Sequence, residues 1–273
     1  MRDMQNSEDG TVESGDLSSL AVFAGLRSDF WKKIIRHESI NSTNEFALSL
    51  RGPESGTVII ADSQARGRGR RGRVWISPPG SNIYMSAVLK PEIAVRDVAF
   101  LTVAAALACA FALRSKTGLN VNIKWPNDLM VSGKKIGGIL TELRSGQDKI
   151  NFAVIGIGIN VNSRDEDFPG ALVNIATSIK EVTGKYFSRS GIIAEILNEL
   201  ERWYKKLMGD GRFLLLEEWK RLSCTIGKEV RVTLCNEVIA GFAEDIDEEG
   251  MLVLKLASGE RRRISAGDLT ELR

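Results

Sequence analysis

Histidine is almost missing from this chain, with His37 the single one in 273 residues. A zinc centre or a histidine-based nucleophilic triad therefore has too few groups to be built from, and His37 reads as structural. Cysteine is scarce as well. Cys109, Cys224 and Cys235 are odd in number, lack metal-ligand spacing and sit in apolar or strand-like surroundings, as buried thiols of a reduced cytoplasm do. The net charge is only +2, so the molecule as a whole is no polyanion binder. Its basic character is local, at Arg66 to Arg73 and again at Arg261 to Arg263. No charged-then-apolar leader opens the chain, and a cytoplasmic location is expected. The apolar run from Val98 to Leu113, broken only by Thr102, is shorter than the roughly 18 residues of a bilayer span and predicts a buried helix. The length suits one good-sized domain plus a small one.

What is present begins with Gln-Ala-Arg-Gly-Arg-Gly-Arg-Arg-Gly-Arg-Val-Trp, Gln64 to Trp75. Guanidinium forks fit carboxylates and phosphates, and interleaved glycines let backbone approach a ligand. Such a loop is an anion cradle, mobile and disordered when empty because its like charges repel. Two other readings stay open at this point: a disordered Arg/Gly segment that binds RNA loosely, and a solvated basic loop. The run is embedded in a domain, however. Val74 to Leu89 reads as ordered core, with a Pro78-Pro79-Gly80 turn and a strand alternating Ile83, Met85, Ala87 and Leu89.

Along the chain, residues 1–28 are rich in Ser, Asp, Glu and Gly and predict a flexible arm with one short apolar patch, Leu20 to Leu26. Ser42 and Glu45 have capping-box spacing ahead of Phe46, Ala47 and Leu48. Val58 to Ala61 form a buried strand that delivers Gln64 and the arginine run at its end. In Val121 to Trp125 the alternation sets Lys124 away from the apolar face of Val121, Ile123 and Trp125. On its own, a lysine there would be a solvated charge. Gly137-Gly138 implies close packing of backbone or ligand, or a bulge. From Ile155 the odd positions are apolar while the even ones are Gly156, Gly158, Asn160 and Asn162. The bare face predicts a slot for a flat ligand, with helix-on-sheet packing as the other explanation. Ile192, Ile193, Ile196, Leu197, Leu200, Trp203, Tyr204 and Leu207 recur at helical spacing and form a core stripe. From Gly227 short strands with turns, one at Cys235-Asn236, suggest a small β-barrel.

The arginine run together with Lys124-Trp125-Pro126-Asn127-Asp128, Lys135-Ile136-Gly137-Gly138-Ile139-Leu140 and Gly156-Ile157-Gly158-Ile159-Asn160-Val161 resembles the bacterial biotin protein ligases, from about Ile34 to the C-terminus and in the family's motif order. The resemblance implies an α+β fold: a mixed β-sheet with helices on one face, as in class II synthetases and biotin/lipoate ligases, over residues 29–225, then an SH3-like barrel over 226–273. It implies an ATP-dependent ligase that makes biotinyl-5'-AMP and transfers biotin to a lysine of a biotin carboxyl carrier protein, such as that of acetyl-CoA carboxylase. Biotin would meet Ser42, Thr43, Asn44, Gln64, Arg68, Gly69, Arg70 and Lys124. The nucleotide would meet Arg70, Arg73, Trp75, Asn127, Lys135, Gly158 and Asn160, with Mg²⁺ bridging its phosphates and no protein metal site. Arg70 and Lys124 would be catalytic, and no residue is assigned as base for the incoming lysine. Arg66 departs from the family's usual small residue. Too few residues precede Ile34 for the helix-turn-helix that many relatives carry, so no specific DNA partner and no membrane partner are expected; a homodimer stays open. A lipoate ligase of the same fold is the alternative within the architecture, disfavoured because the loop has no histidine.

Overall fold

The structure, a computed structural model, describes residues 16–146, 150–209, 211–234 and 237–271. The larger unit begins with α1 (Ser19–Ala24), β1 (Lys33–Ile40), α2 (Thr43–Ser49), β2 (Thr57–Gln64) and β3 (Ile83–Leu89). Then come α3 (Ala99–Thr117), β4 (Asn122–Lys124), β5 (Asp128–Val131), β6 (Lys134–Ser145) and β7 (Ile150–Ile159). Three helices follow: α4 (Ile179–Thr183), α5 (Arg189–Met208) and α6 (Arg212–Leu222). The smaller unit holds β8 (Glu229–Thr233), β9 (Val238–Ile246), β10 (Leu252–Lys255), β11 (Arg261–Ile264) and β12 (Asp268–Glu271).

Seven strands form one mixed sheet in the order β1-β2-β3-β7-β6-β5-β4, in which only β1 and β2 run parallel. Helix α3 crosses one face. Nearly every residue of it is apolar because the sheet lies on one side and α5 on the other. Gly118, in the left-handed region at φ 73°, ends it after Arg114 and Lys116. It is long and apolar enough to cross a membrane, yet it is the buried centre of this core. Cutting the fully buried Leu107 back to Ala would cost about 2–5 kcal/mol. The predicted stripe of α5 is buried along its whole length, from Ile192 to Leu207.

Four expectations need correction. First, the helices do not all lie on one face. Helix α2 covers the other, where Ala47 packs with Ile59, Val88, Phe152 and Val154, and β3 is consequently buried on both sides rather than alternating. Second, the predicted arm is packed from residue 16 onward. Leu17, Val22 and Phe23 join the core, and Asp16 pairs with the buried Arg189 at 2.9 Å; residues 1–15 lie outside the described residues. Third, the smaller unit is an open antiparallel sheet, β11-β10-β9-β8-β12, with no pairing between β11 and β12 among the described residues. Its β12 edge is turned to the larger unit, where residues 267–270 wall a cavity, so closure is not what protects that edge. The predicted Cys235-Asn236 turn lies outside the described residues. Fourth, Val74 and Ile76 are exposed, at 76% and 39%, on the rim of that same cavity.

The second basic run is neutralised. Arg261, Arg262 and Arg263 pair with Glu244, Glu237 and Asp247 respectively, leaving no bare polycation for nucleic acid there.

Candidate functional site

A cavity of about 600 Å³ opens on the α2 face of the large sheet. The ends of β2 and β4, the N-terminus of α2, the arginine loop, β7 and β12 all contribute to its wall. Every residue that the sequence reading assigns to biotin or nucleotide lies on that wall.

At one end, Ser42 caps α2 by accepting from the Glu45 N–H at 3.4 Å. Gln64, at the last position of β2, accepts from the Thr43 N–H at 2.9 Å and donates to Ser77 Oγ at 2.9 Å. Ser86 Oγ lies 2.8 Å from Thr43 Oγ1 and 2.6 Å from Asn44 Oδ1. Asn44 Nδ2 donates to Leu140 O at 3.1 Å and Glu142 Oε2 at 2.9 Å. These groups are held by one another and by strand backbone, so this end is a rigid polar pocket.

The bare face of β7 is filled by protein. A side chain at Gly156 would collide with the Asn44 amide, and one at Gly158 would come within 2.6 Å of the Trp75 indole. The predicted slot thus seats Asn44, from the first turn of α2, over Gly156, as helix-on-sheet packing would have it, and Trp75 over Gly158, so a ligand must lie beyond the indole. Lys135 Nζ stands 5.4 Å from the Trp75 ring and 2.6 Å from Asp128 Oδ1. Trp75 Nε1 is buried with no protein partner among the described residues. Asn160 is 6% exposed and donates to Thr177 O at 3.1 Å, so its amide holds the wall of the cavity. A Cβ on Gly138 would stand 3.3 Å from the Lys135 side chain and one on Gly137 2.9 Å from the Gly158 carbonyl, which is the close packing that the sequence suggests.

The arginine loop follows a defined course, unlike the self-repelling coil that its charges suggest. Gly67 receives the Trp75 N–H on its carbonyl at 2.9 Å, and a side chain there would strike Trp75 O and Ser77 Oγ. Gly69 N–H donates to Arg73 O at 2.7 Å, closing a tight turn in which Arg71 takes φ 54°. Carboxylates from other elements offset the repulsion: Glu142 pairs with Arg68 at 3.1 Å, and Asp268 with Arg73 at 2.6 Å. Arg70 Nη1 donates to Asn127 Oδ1 at 3.2 Å. Burial of Arg70 pulls its pKa down, against the pull of Asp268 and Asp128. Arg66 is exposed on the outer side.

Lys124 is half-buried on the wall, and among the described residues its ammonium makes no hydrogen bond or ion pair. The lining holds five cations, Arg68, Arg70, Arg73, Lys124 and Lys135, against two carboxylates, Asp128 and Asp268. That imbalance makes the cavity a receptor for anions. Among the described residues no three Asp, Glu, His or Cys gather into a metal cluster. A magnesium ion that arrives on phosphates needs only one or two carboxylates from the protein, and Asp128 and Asp268 fit that demand.

Sequence reasoning missed Ser86, Glu142 and Asp268. Ser86 had a signal, the one serine in an otherwise apolar and aromatic strand. Asp268 had none, since only the docking of the smaller unit brings it to the loop.

Residues 36–160 match the model of the biotin/lipoate A/B protein ligase family, and residues 225–269 that of the biotin protein ligase C-terminal domain. The bifunctional ligase/repressor BirA of Bacillus subtilis is 37% identical over 256 residues, covering 92% of this chain and 78% of the relative. The biotin--[acetyl-CoA-carboxylase] ligase of Mycobacterium tuberculosis is 31% identical, with 89% and 90% covered. The structure of a biotin protein ligase from Aquifex aeolicus in complex with biotin and ATP superposes with a TM-score of 0.78 at 29% identity, covering 89% of this chain and 99% of that one. Likeness of that extent, in sequence and in fold and running through both units, is shared descent: this chain belongs to the biotin protein ligase family.

Proposed function

We propose that the cavity joins biotin to ATP with Arg70 and Lys124 as the catalytic cations, and then hands the biotinyl group to a lysine of a biotin carboxyl carrier protein. The carrier of acetyl-CoA carboxylase is the expected acceptor. The carrying observation is the ammonium of Lys124, half-buried on the cavity wall and without a hydrogen bond or ion pair among the described residues.

In the first step a biotin carboxylate oxygen bonds to the α-phosphorus of ATP, and pyrophosphate leaves. Two anions must meet, and at roughly 4 Å with an effective dielectric near 20 their repulsion is about 4 kcal/mol. Arg70, aimed by Asn127, and Lys124 offset that repulsion where the new bond forms. Successive same-face positions of a strand lie about 6.6 Å apart, so Asn44 over Gly156 and Trp75 over Gly158 set the spacing of two subsites. Biotin's ring faces Ser42, Thr43, Asn44 and Gln64, with Arg68 and Gly69 above it. The nucleotide lies toward Trp75, Lys135, Asn127, Gly158 and Asn160, where Lys135 faces phosphate once it exchanges Asp128 for it, and Arg73 lines the same side while Asp268 holds it. Magnesium, when bound, neutralises phosphate charge. In the second step the acceptor amine bonds to the biotinyl carbonyl carbon, and AMP leaves with the shared oxygen.

Biotin-dependent exchange of labelled pyrophosphate into ATP tests this directly. A lipoate ligase would show the exchange with lipoate instead.

A further inference from the structure

A second cavity, of about 520 Å³, lies at the C-terminal end of α2, outside the site described above. Its floor is apolar, made by Leu48, Leu50 and Phe152. Its rim carries Arg51, Lys90 and Arg144, and no Asp or Glu lines it. Three different segments supply the three cations. Arg144 on β6 is in register with Phe152 on β7. Lys90 follows Leu89, whose partner is Ala153, so it flanks Phe152 from the other side. Arg51 follows the C-cap of α2. All three are exposed, and none forms an ion pair among the described residues, whereas Arg68, Arg71 and Arg73 of the loop and all three arginines of β11 do.

The two cavities share one strand face. Phe152, Val154, Gly156 and Gly158 alternate along β7, and Phe152 is four residues from the Gly156 that underlies Asn44, about 13 Å at strand rise. Helix α2 spans that gap, its N-terminus in the biotin pocket and its C-terminus at the basic cleft. A protein that inserts a lysine into the first cavity from the α2 side lies over this helix, and its flank then falls on the cleft.

We propose that the cleft formed by Arg51, Lys90 and Arg144 around Phe152 is a docking subsite for an acidic, partly apolar segment of the acceptor protein. The proposal rests on the ligase reading. A free phosphate fits less well. The cations come from three segments and sit on long exposed stems around an apolar floor, where a compact dianion leaves the floor uncovered. Carboxylates spread over a protein surface suit that rim, and such rim charges act on encounter rate and salt dependence.

The test is charge reversal, R51E, K90E and R144E, singly and together, in the full chain, with two assays on each protein. Biotin-dependent ATP–pyrophosphate exchange should stay within about twofold of the parent, because none of the three touches the first cavity. Transfer to the carrier domain of acetyl-CoA carboxylase should show KM for the carrier raised about tenfold in the triple variant, with kcat at saturation unchanged and a shallower salt dependence of kcat/KM. Lysines placed at acidic positions of the carrier should restore KM. An unchanged KM with exchange intact overturns the proposal, as does loss of exchange in the variants. If the substitutions alter only inhibition by inorganic phosphate, the cleft is a small-anion site and the proposal again fails. Failure of the parent chain to exchange with biotin would instead remove the ligase reading.

Discussion

Asp268 of the smaller unit accepts from Arg73 Nη2 at 2.6 Å, and the same Oδ2 oxygen lies 3.5 Å from Arg71 Nη1. Arg71 also donates to Thr233 O at 2.9 Å, so the C-terminal sheet grips the arginine loop at two points on either side of Gly72. Arg70, the residue that faces Asn127, is therefore held in place from the outside. By this contact the smaller unit completes one wall of the cavity.

Asp268→Ala should loosen the loop. The pair is partly exposed, and exposed pairs contribute about 1 kcal/mol or less, so KM for ATP is expected to rise by up to about fivefold. Trypsin should cut faster between Arg70 and Arg73, and biotin with ATP and Mg²⁺ should slow that cleavage. Asp268→Glu should recover part of both effects. Mass spectrometry of the fragments over a time course checks this, and equal cleavage of parent and variant would remove the grip.

Ser86→Ala removes the hydroxyl that reaches both Thr43 and Asn44. The lost hydrogen bonding is worth about 0.5–1.5 kcal/mol, which corresponds to a two- to tenfold rise in KM for biotin with KM for ATP changed less. Steady-state kinetics with each substrate varied in turn decide it. A larger effect on ATP would place Ser86 in the wrong subsite.

Gly158→Ala should push the Trp75 indole out of its seat, because the new methyl would stand 2.6 Å from the ring. Overpacking of this kind costs about 1–3 kcal/mol. The nucleotide side is expected to suffer: KM for ATP rises about tenfold or more, and biotin binding measured by calorimetry without ATP is retained. Equal loss of both would mean that the glycine serves the whole sheet.

Much of the site is legible in the sequence because its residues lie in short runs. The Lys124 to Asp128 turn, the arginine loop and the glycines of β7 each declare themselves by local chemistry. What those runs touch is less legible. The glycines of β7 announce a bare face, but only the fold shows that Asn44 and Trp75 occupy it. Likewise the five arginines of the loop read as mutually repelling until Glu142, 74 residues beyond Arg68, and Asp268, 195 beyond Arg73, arrive beside them. Helix α2 was placed by its Ser42 cap, yet its choice of face depends on Ile59, Val88 and Phe152, which any both-sided apolar strand leaves ambiguous. The N-terminal segment differs for a related reason: its Leu20 to Leu26 patch stands out in a polar stretch, but Val22 and Phe23, with Leu17, pack only because α5 offers them a surface.

Lys124→Ala offers the most direct measurement. The lysine has no structural partner to lose among the described residues, so the thermal midpoint should stay within a few degrees. Removal of a preorganised charge from the developing transition state costs roughly 2.7–4 kcal/mol, so biotin-dependent ATP–pyrophosphate exchange should fall by about 10²–10³-fold. Exchange at the parent rate in a folded Lys124→Ala protein, or exchange that needs no biotin in the parent, would contradict the assignment of this cavity.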